Sequence, residues 1–132
     1  MFRNGRVLVC ITAQDSCVDI INEGKKLAEK LNAVTEVVTV QPKKMSAVKR
    51  AETMKCLQEL SKITDCPISI IYSDNVIKSL ASYIEKAEPT HIFTGQQAEN
   101  SELVFQLSLI SNVPISMVSR QKTVYTLPIA IH

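Results

Sequence analysis

The residues best suited to nucleophilic or metal chemistry are four cysteines and two histidines: Cys10, Cys17, Cys56, Cys66, His91 and His132. No two cysteines form a CxxC pair and both histidines lie far from them in sequence, so the spacing of a zinc site is absent. Cys17 lies near the start of a predicted helix, where a thiol pKa can be lowered, but the sequence places no base beside it. We therefore expect four reduced thiols that behave as small hydrophobic side chains.

The number and spacing of the glycines can be compared with the glycine-rich motifs that bind nucleotides. With only Gly5, Gly24 and Gly95, the chain matches neither the Walker loop GxxxxGK[ST] nor the dinucleotide fingerprint GxGxxG. A phospho-receiver domain would need a carboxylate pair after the first strand, where residues 12–14 are Thr-Ala-Gln. It would also need a lysine ending the fifth strand, and Lys122 comes too late. No arrangement typical of a Ser-His-Asp triad is present either, so we expect no enzymatic activity.

Five short apolar runs alternate with stretches of helical periodicity. The predicted strands span about 6–12, 34–40, 66–72, 91–94 and 113–118. This alternation is typical of right-handed βαβ units on a parallel sheet, with two helices on each face. Ser46 and Asp74 are the predicted N-caps of the second and third helices.

The apolar face of the first predicted helix includes a glycine. Its members recur at spacings of three and four residues, and they are Cys17, Ile20, Ile21, Gly24, Leu27, Ala28 and Leu31. Because a glycine inside a helix lowers its stability, Gly24 predicts a close approach of this helix to the sheet. The second helix is predicted to have an apolar face of Val48, Ala51, Met54, Leu57 and Leu60, with Cys56 and Ile63 beside it.

Composition and charge exclude several classes of protein. A chain of 132 residues with 45% hydrophobic and 21% charged residues is ordinary for one compact domain. The net charge of +2 is too small to predict a nucleic-acid or membrane partner. The basic residues between 43 and 55 could form an anion patch, but we interpret them as a solvated helix face. Since neither a signal peptide nor an apolar run of roughly 18 residues is present, we expect a cytoplasmic protein.

The C-terminal segment 123–132 is β-prone and too apolar for a free tail. Pro128 excludes a central strand position, because proline cannot donate a ladder hydrogen bond. We expect an α/β domain over residues 1–121. Residues 122–132 then form either an added edge strand or a dimerisation arm laid on a partner subunit.

Four stretches of the chain resemble the universal stress protein domain. They are RVLVCI at 6–11, GKKLAEKL at 24–31, IIYSDNVI at 70–77 and THIFTG at 90–95. The version carried by the potassium-responsive sensor kinase KdpD is the most similar. The resemblance covers about residues 5–119 and implies a five-strand parallel sheet of order 3-2-1-4-5, as in adenine nucleotide alpha hydrolase-like folds.

The implied order makes strands one and four neighbours at the switch point, where such sheets bind ligands. The loops after these strands carry the candidate ligand-binding residues Thr12, Ala13, Asp15, Gly95 and Gln96. Asp15 is either a ribose ligand or simply a helix cap. Gly95 either lets a ligand approach the backbone or forms a turn with positive φ.

The chain departs from the ATP-binding members of this family in its glycine loop. The family pattern G-x2-G-x9-G-[ST] keeps Gly95, but Ala98 and Ser108 replace the other two glycines. Glu99 and Glu102 begin the fourth predicted helix, where a phosphate would meet negative charge.

The resemblance implies a non-enzymatic regulatory or signalling module. Its cofactor would be ATP or another adenine nucleotide, bound weakly or no longer bound. A ligand-free dimerisation scaffold is the alternative; an enzyme of the related nucleotide hydrolase superfamily would need a Ser-Gly-Gly pyrophosphate loop, which the chain lacks. Universal stress proteins commonly dimerise through their last strand, so the resemblance also implies a homodimer through residues 113–131.

Overall fold

The chain folds as alternating strands and helices, which the computed structural model describes over residues 5–11, 17–95, 106–109, 111–118 and 124–127. The strands are β1 (Arg6–Ile11), β2 (Val34–Gln41), β3 (Ile68–Tyr72), β4 (His91–Gly95), β5 (Ile115–Val118) and β6 (Val124–Leu127). The helices are α1 (Cys17–Leu31), α2 (Ala47–Thr64) and α3 (Val76–Ala87), and residues 106–109 are also helical. No helix in these ranges has the length and hydropathy needed to cross a bilayer.

All six described strands belong to one sheet of order β3-β2-β1-β4-β5-β6. The first five strands are parallel, which confirms the predicted order 3-2-1-4-5. The sixth runs antiparallel to β5, with Ile115 opposite Leu127 and Val118 opposite Val124. Residues 124–127 are thus the added edge strand, whereas the proposed domain boundary near residue 121 stays a prediction.

Helices cover both faces of the sheet, as right-handed crossovers require. Val7, Val9 and Ile11 of β1 enter a core shared with α1 and α2. The alternate residues Leu8 and Cys10 enter a second core with Leu80 of α3 and Leu107 of the 106–109 segment. Each face therefore has two described helical segments, in agreement with the prediction.

Helix α1 lies very close to the sheet at Gly24. A Cβ atom built on Gly24 would lie 2.6 Å from Val9 Cγ2, a distance that real Cβ atoms do not adopt. The buried residues of α1 are Cys17, Ile20, Ile21, Gly24 and Ala28. The predicted face and the close approach are both confirmed.

The apolar face predicted for α2 is partly wrong. Leu57 and Leu60 are buried, but Val48 and Ile63 are 69% and 68% exposed. The third buried residue is Thr64, whose Oγ1 donates a 2.7 Å hydrogen bond to the carbonyl of Leu60. All three lie in the C-terminal half of α2, so the buried residues of this helix are confined to that half.

Hydrogen bonds identify the N-cap residues of α2 and α3. Ser46 Oγ accepts from the Lys49 backbone N–H at 3.1 Å, as predicted. The cap of α3 is Asn75 and not Asp74, because Asn75 Oδ1 accepts from the Lys78 N–H at 3.0 Å. The Asp74 carboxylate instead accepts from the backbone N–H of Lys43.

Candidate functional site

The switch point of the sheet lies between the carboxyl ends of β1 and β4. Strand β1 has β2 on one side and β4 on the other, and Cys10 pairs with Thr94 near the ends of the two strands. The chain continues from β1 into α1 on one face, while the 106–109 segment that follows β4 packs on the other face. Open α/β sheets bind ligands at such a switch point, outside the carboxyl ends of the two strands, and we refer to this edge between β1 and β4 as the crevice.

The structure describes only part of the predicted ligand site. Gly95 is the last residue of β4. Thr12, Ala13, Asp15 and Gln96 lie outside the described residues, as do Ala98, Glu99 and Glu102. Ser108 and Leu109, which occupy the last positions of the glycine-loop pattern, lie in the helical segment 106–109. The grouping of the five candidate residues thus stays a prediction.

Gly95 has a packing role that neither sequence interpretation included. Its φ lies outside the left-handed range, so the interpretation as a positive-φ turn is wrong. A Cβ atom built on Gly95 would lie 2.5 Å from Ile20 Cδ1 and 3.3 Å from Ile20 Cγ1. The position needs a glycine because α1 crosses directly over the end of β4.

Two polar side chains are buried at the carboxyl end of β2. Thr39 is 1% exposed and Gln41 is 8% exposed, and Gln41 Nε2 donates a 2.9 Å hydrogen bond to Thr39 Oγ1. Thr39 pairs with Ile11, the last residue of β1, so the two polar groups lie beside the crevice. Sequence analysis missed this pair, although the alternation of polar and apolar residues over the second half of β2 was the available signal. Neutral hydrogen-bonding groups of this kind suit an uncharged polar part of a ligand.

The cysteine at this edge is chemically inert. Burial raises the pKa of the Cys10 thiol to about 12, so the thiol is protonated at neutral pH and is a poor nucleophile. Cys17, the first residue of α1, is 1% exposed. No three His, Cys, Asp or Glu residues within the described ranges are placed to hold a metal ion.

A separate set of contacts joins β1 and β4 at the opposite end of the sheet. His91 begins β4 beside Val7, at the end of the sheet away from the crevice. Thr90 Oγ1 accepts from the Arg6 backbone N–H at 3.1 Å. Gly5 has φ +146°, and a Cβ there would overlap the Thr90 side chain. These residues have a structural role.

No protein-family model matches the sequence, and no curated protein sequence matches it. Solved structures do match. The universal stress protein from Archaeoglobus fulgidus has a TM-score of 0.69 at 11% identity, covering 87% of this chain and 93% of that one. The complex of the Archaeoglobus fulgidus protein with dAMP has a TM-score of 0.66 at 10% identity, covering 88% and 98%. A universal stress protein in complex with cAMP has a TM-score of 0.67 at 12% identity, covering 89% and 98%. This chain therefore has the fold of the universal stress proteins.

Proposed function

We propose that this chain is a non-enzymatic regulatory or signalling module of the universal stress protein type, with a weak or lost adenine-nucleotide site in the crevice between β1 and β4. The observation that carries the proposal is the switch point itself, in a fold shared with structures that hold dAMP and cAMP. A closer relationship to the corresponding domain of the sensor kinase KdpD is part of the proposal, and it rests on sequence resemblance alone.

Weak binding of phosphate follows from the residues at the glycine-loop positions. Ala98 and Ser108 replace two glycines, and a side chain there restricts the approach of a phosphate to the backbone. Glu99 and Glu102 add negative charge nearby in sequence. A neutral nucleoside avoids both problems and can use the buried Thr39 hydroxyl beside the crevice. Adenosine should therefore bind at least as well as ATP.

The absence of enzymatic activity and the cytoplasmic location are also parts of this proposal. The protonated Cys10 thiol at the end of β1 is a poor nucleophile, which supports the first of these parts. All four cysteines are free, which is typical of proteins in a reducing compartment.

The experiment is a thermal-shift titration with adenosine, dAMP, cAMP and Mg-ATP. A ligand at 100 times its dissociation constant stabilises the folded state by about 2.7 kcal/mol. For a domain of this size, each kcal/mol changes the melting temperature by roughly 3–5 °C. Millimolar Mg-ATP with a dissociation constant of about 10 μM would therefore raise it on the order of 10 °C. We expect a much smaller rise with ATP and an equal or larger one with adenosine.

Two threonine variants test whether a ligand-induced rise in melting temperature comes from binding at the crevice. Thr39→Val removes the buried hydroxyl at the end of β2, whereas Thr64→Val makes the same change at a buried position of α2. The adenosine shift should fall in Thr39→Val and persist in Thr64→Val. Equal shifts in both variants would contradict binding at the crevice, and a large ATP shift would contradict the weak-phosphate part of the proposal.

The alternative proposal is a ligand-free dimerisation scaffold, which the position of β6 favours. This strand pairs with β5 on one side, and no described strand lies on its other side. Val124 of β6 is 44% exposed. A symmetric homodimer through residues 113–131 could extend the sheet across this edge and should bury at least about 1,000 Å². The absence of a thermal shift with any adenine compound would favour this scaffold.

A further inference from the structure

A surface groove of about 740 Å³ lies beside α3, on the far side of β2 from the switch point. We refer to it as the α3 groove, and its lining includes Lys43, Ile71, Lys78, Ser82, Tyr83 and Lys86. Ile71 belongs to β3 and packs in the core under α3. The groove therefore runs between α3 and the outermost strand at this side of the sheet.

Strand β3 leaves one backbone edge unpaired within the described part of the chain. The N–H of Ser73, just after β3, donates to the carbonyl of Gln41 at 2.8 Å. Backbone groups of a strand alternate in direction, so those of Ile71 also face β2 while those of Ile70 and Tyr72 face outward. No described strand lies on that outer side. Such an edge is a ready template for another extended chain.

The charge of the α3 groove is strongly positive. The ammonium groups of Lys43, Lys78 and Lys86 have no ion-pair partner among the described residues. Asp74 is the one carboxylate in the lining, and its Oδ1 already accepts from the backbone N–H of Lys43 at 3.2 Å. An occupant of this groove should therefore be acidic.

The loop that carries Lys43 is held in place by α2 and β3. The backbone carbonyl oxygen of Lys43 accepts a 3.1 Å hydrogen bond from Arg50 Nη2. The Arg50 guanidinium lies 4.7 Å from the centre of the Tyr72 ring, within the range of a cation–π contact. Lys43 is thus fixed beside the carboxyl end of β3, where it extends the positive charge beyond α3.

The spacing of the lysines on α3 matches an extended chain. Lys78, Ser82 and Lys86 follow each other at intervals of four residues and therefore share one face of α3. Eight residues of helix span about 12 Å. Two residues four positions apart in a strand lie on the same face and are separated by about 13 Å.

We propose that the outer edge of β3 and the α3 groove together bind an acidic segment of a partner protein, added to the sheet as an extended strand. Its backbone pairs with Ile70 and Tyr72, and two of its acidic side chains, four positions apart, contact Lys78 and Lys86. A second copy of this chain is a poor occupant, because it would bring the same three lysines to the contact. Main-chain pairing with side-chain specificity is a common mode of peptide recognition.

Two short capped peptides of Val, Thr and two Glu residues test this proposal. In the first peptide the glutamates are four positions apart, and in the second, of the same composition, they are three apart. Residues three apart point to opposite faces of a strand, so the second peptide can place only one carboxylate over α3. Backbone amide signals of the full chain are followed by NMR during titration with each peptide.

We expect the first peptide to shift the Ile70 and Tyr72 amide signals and to bind about two- to fivefold more tightly than the second, the amount expected for one exposed ion pair. Lys78→Gln/Lys86→Gln should remove that difference. Lys55→Gln/Lys62→Gln, which removes the same charge from α2 on the other face of the sheet, should retain it.

Three outcomes would overturn the proposal. Unchanged signals for residues 68–72 would exclude strand addition. Equal binding of the two peptides, or competition by tripolyphosphate at similar concentration, would indicate an unspecific anion site. Self-association of Lys78→Gln/Lys86→Gln through β3, with no change in peptide binding, would mean that the lysines protect the edge against aggregation.

Discussion

Gly95, the last residue of β4, lies directly against Ile20 of α1, and a Cβ atom at Gly95 would come within 2.5 Å of Ile20 Cδ1. The contact joins the end of a strand at the switch point to the first turns of the helix that follows β1. It fixes how closely α1 approaches the candidate crevice. The glycine that sequence patterns associate with a ligand loop is therefore also required by packing.

Gly95→Ala should destabilise the fold by about 1–3 kcal/mol, the usual cost of overpacking a core. Ile20→Val deletes the Cδ1 atom that the new methyl group would meet, and alone it should cost about 0.5–1.5 kcal/mol. We expect the double variant to be less destabilised than the sum of the two. Urea unfolding of all four proteins measures this coupling.

Ile21→Val provides the matched control for that cycle. Ile21 is a fully buried neighbour in α1, but none of its atoms lies within 4 Å of the Cβ position at Gly95. Gly95→Ala and Ile21→Val should therefore be additive. Additivity in both cycles would show that α1 moves away as a whole instead of meeting the new methyl group at Ile20.

The alternation of strands and helices could be predicted from periodicity, and the sheet order from the family resemblance, whereas the contacts that position the site could not be predicted. Apolar strands and amphipathic helices have strong periodicity, and right-handed crossovers then favour a parallel sheet covered on both faces. The Gly95–Ile20 contact joins residues far apart in sequence, so no local pattern contains it. The Thr39–Gln41 pair was visible only as alternation within β2, and its burial depends on what covers that face.

Sequence patterns also located the start of a helix only to within about one residue. Asp74 and Asn75 both have side chains that cap helices, and the sequence does not say which one precedes the first helical turn. The structure assigns the cap to Asn75, because Asp74 turns toward Lys43. The roles of Thr12, Asp15 and Gln96 stay predictions, because these residues lie outside the described ranges.

Asn75→Ala should destabilise the protein by about 1 kcal/mol, since it leaves the Lys78 N–H without its capping acceptor. Ser46→Ala should have a similar effect at α2. Asp74→Ala should cost less, because its carboxylate accepts from one N–H of a loop and caps no helix. Denaturant midpoints of the three variants measure the order, and a larger loss for Asp74→Ala than for Asn75→Ala would contradict the assignment.

The buried thiol of Cys10 makes stability sensitive to alkaline pH. Its pKa rises from 9.0 to about 12 on folding, so the folded state holds a proton that the unfolded state releases above pH 9. The resulting stabilisation is complete below pH 9 and is lost as the pH rises toward 12. At pH 11 the free energy of unfolding should be lower by about 2–3 kcal/mol, since each pH unit between the two pKa values contributes about 1.36 kcal/mol.

Cys10→Ala should weaken this alkaline loss, although it lowers stability at pH 7 by leaving a small cavity. Denaturant unfolding at several values between pH 7 and pH 11 gives the slope for each protein. Cys56→Ala, which removes the exposed thiol of α2, is the matched control for loss of a cysteine. The same slope in Cys10→Ala and in the unsubstituted chain would show that the thiol does not cause the effect.

Deletion of residues 122–132 should convert a homodimer into monomers or aggregates. The deletion removes β6, which pairs with β5 from Val118↔Val124 to Ile115↔Leu127, and it exposes the edge of β5. An exposed parallel-sheet edge tends to pair with other chains, which explains the expected aggregates. Multi-angle light scattering at micromolar concentration measures the mass of each protein.

Two substitutions in β6 test whether the dimer depends on the backbone pairing of this strand, without deletion of residues 122–132. Thr126→Pro removes one backbone N–H and so disturbs the pairing of this strand with its neighbours. Thr126→Val keeps that N–H and changes only the side chain. Since the proposed dimer uses the sheet edge, Thr126→Pro should resemble the deletion, and Thr126→Val should remain dimeric. A full-length chain that is monomeric at micromolar concentration would contradict the dimer, and a dimer that survives Thr126→Pro would place the contact away from β6.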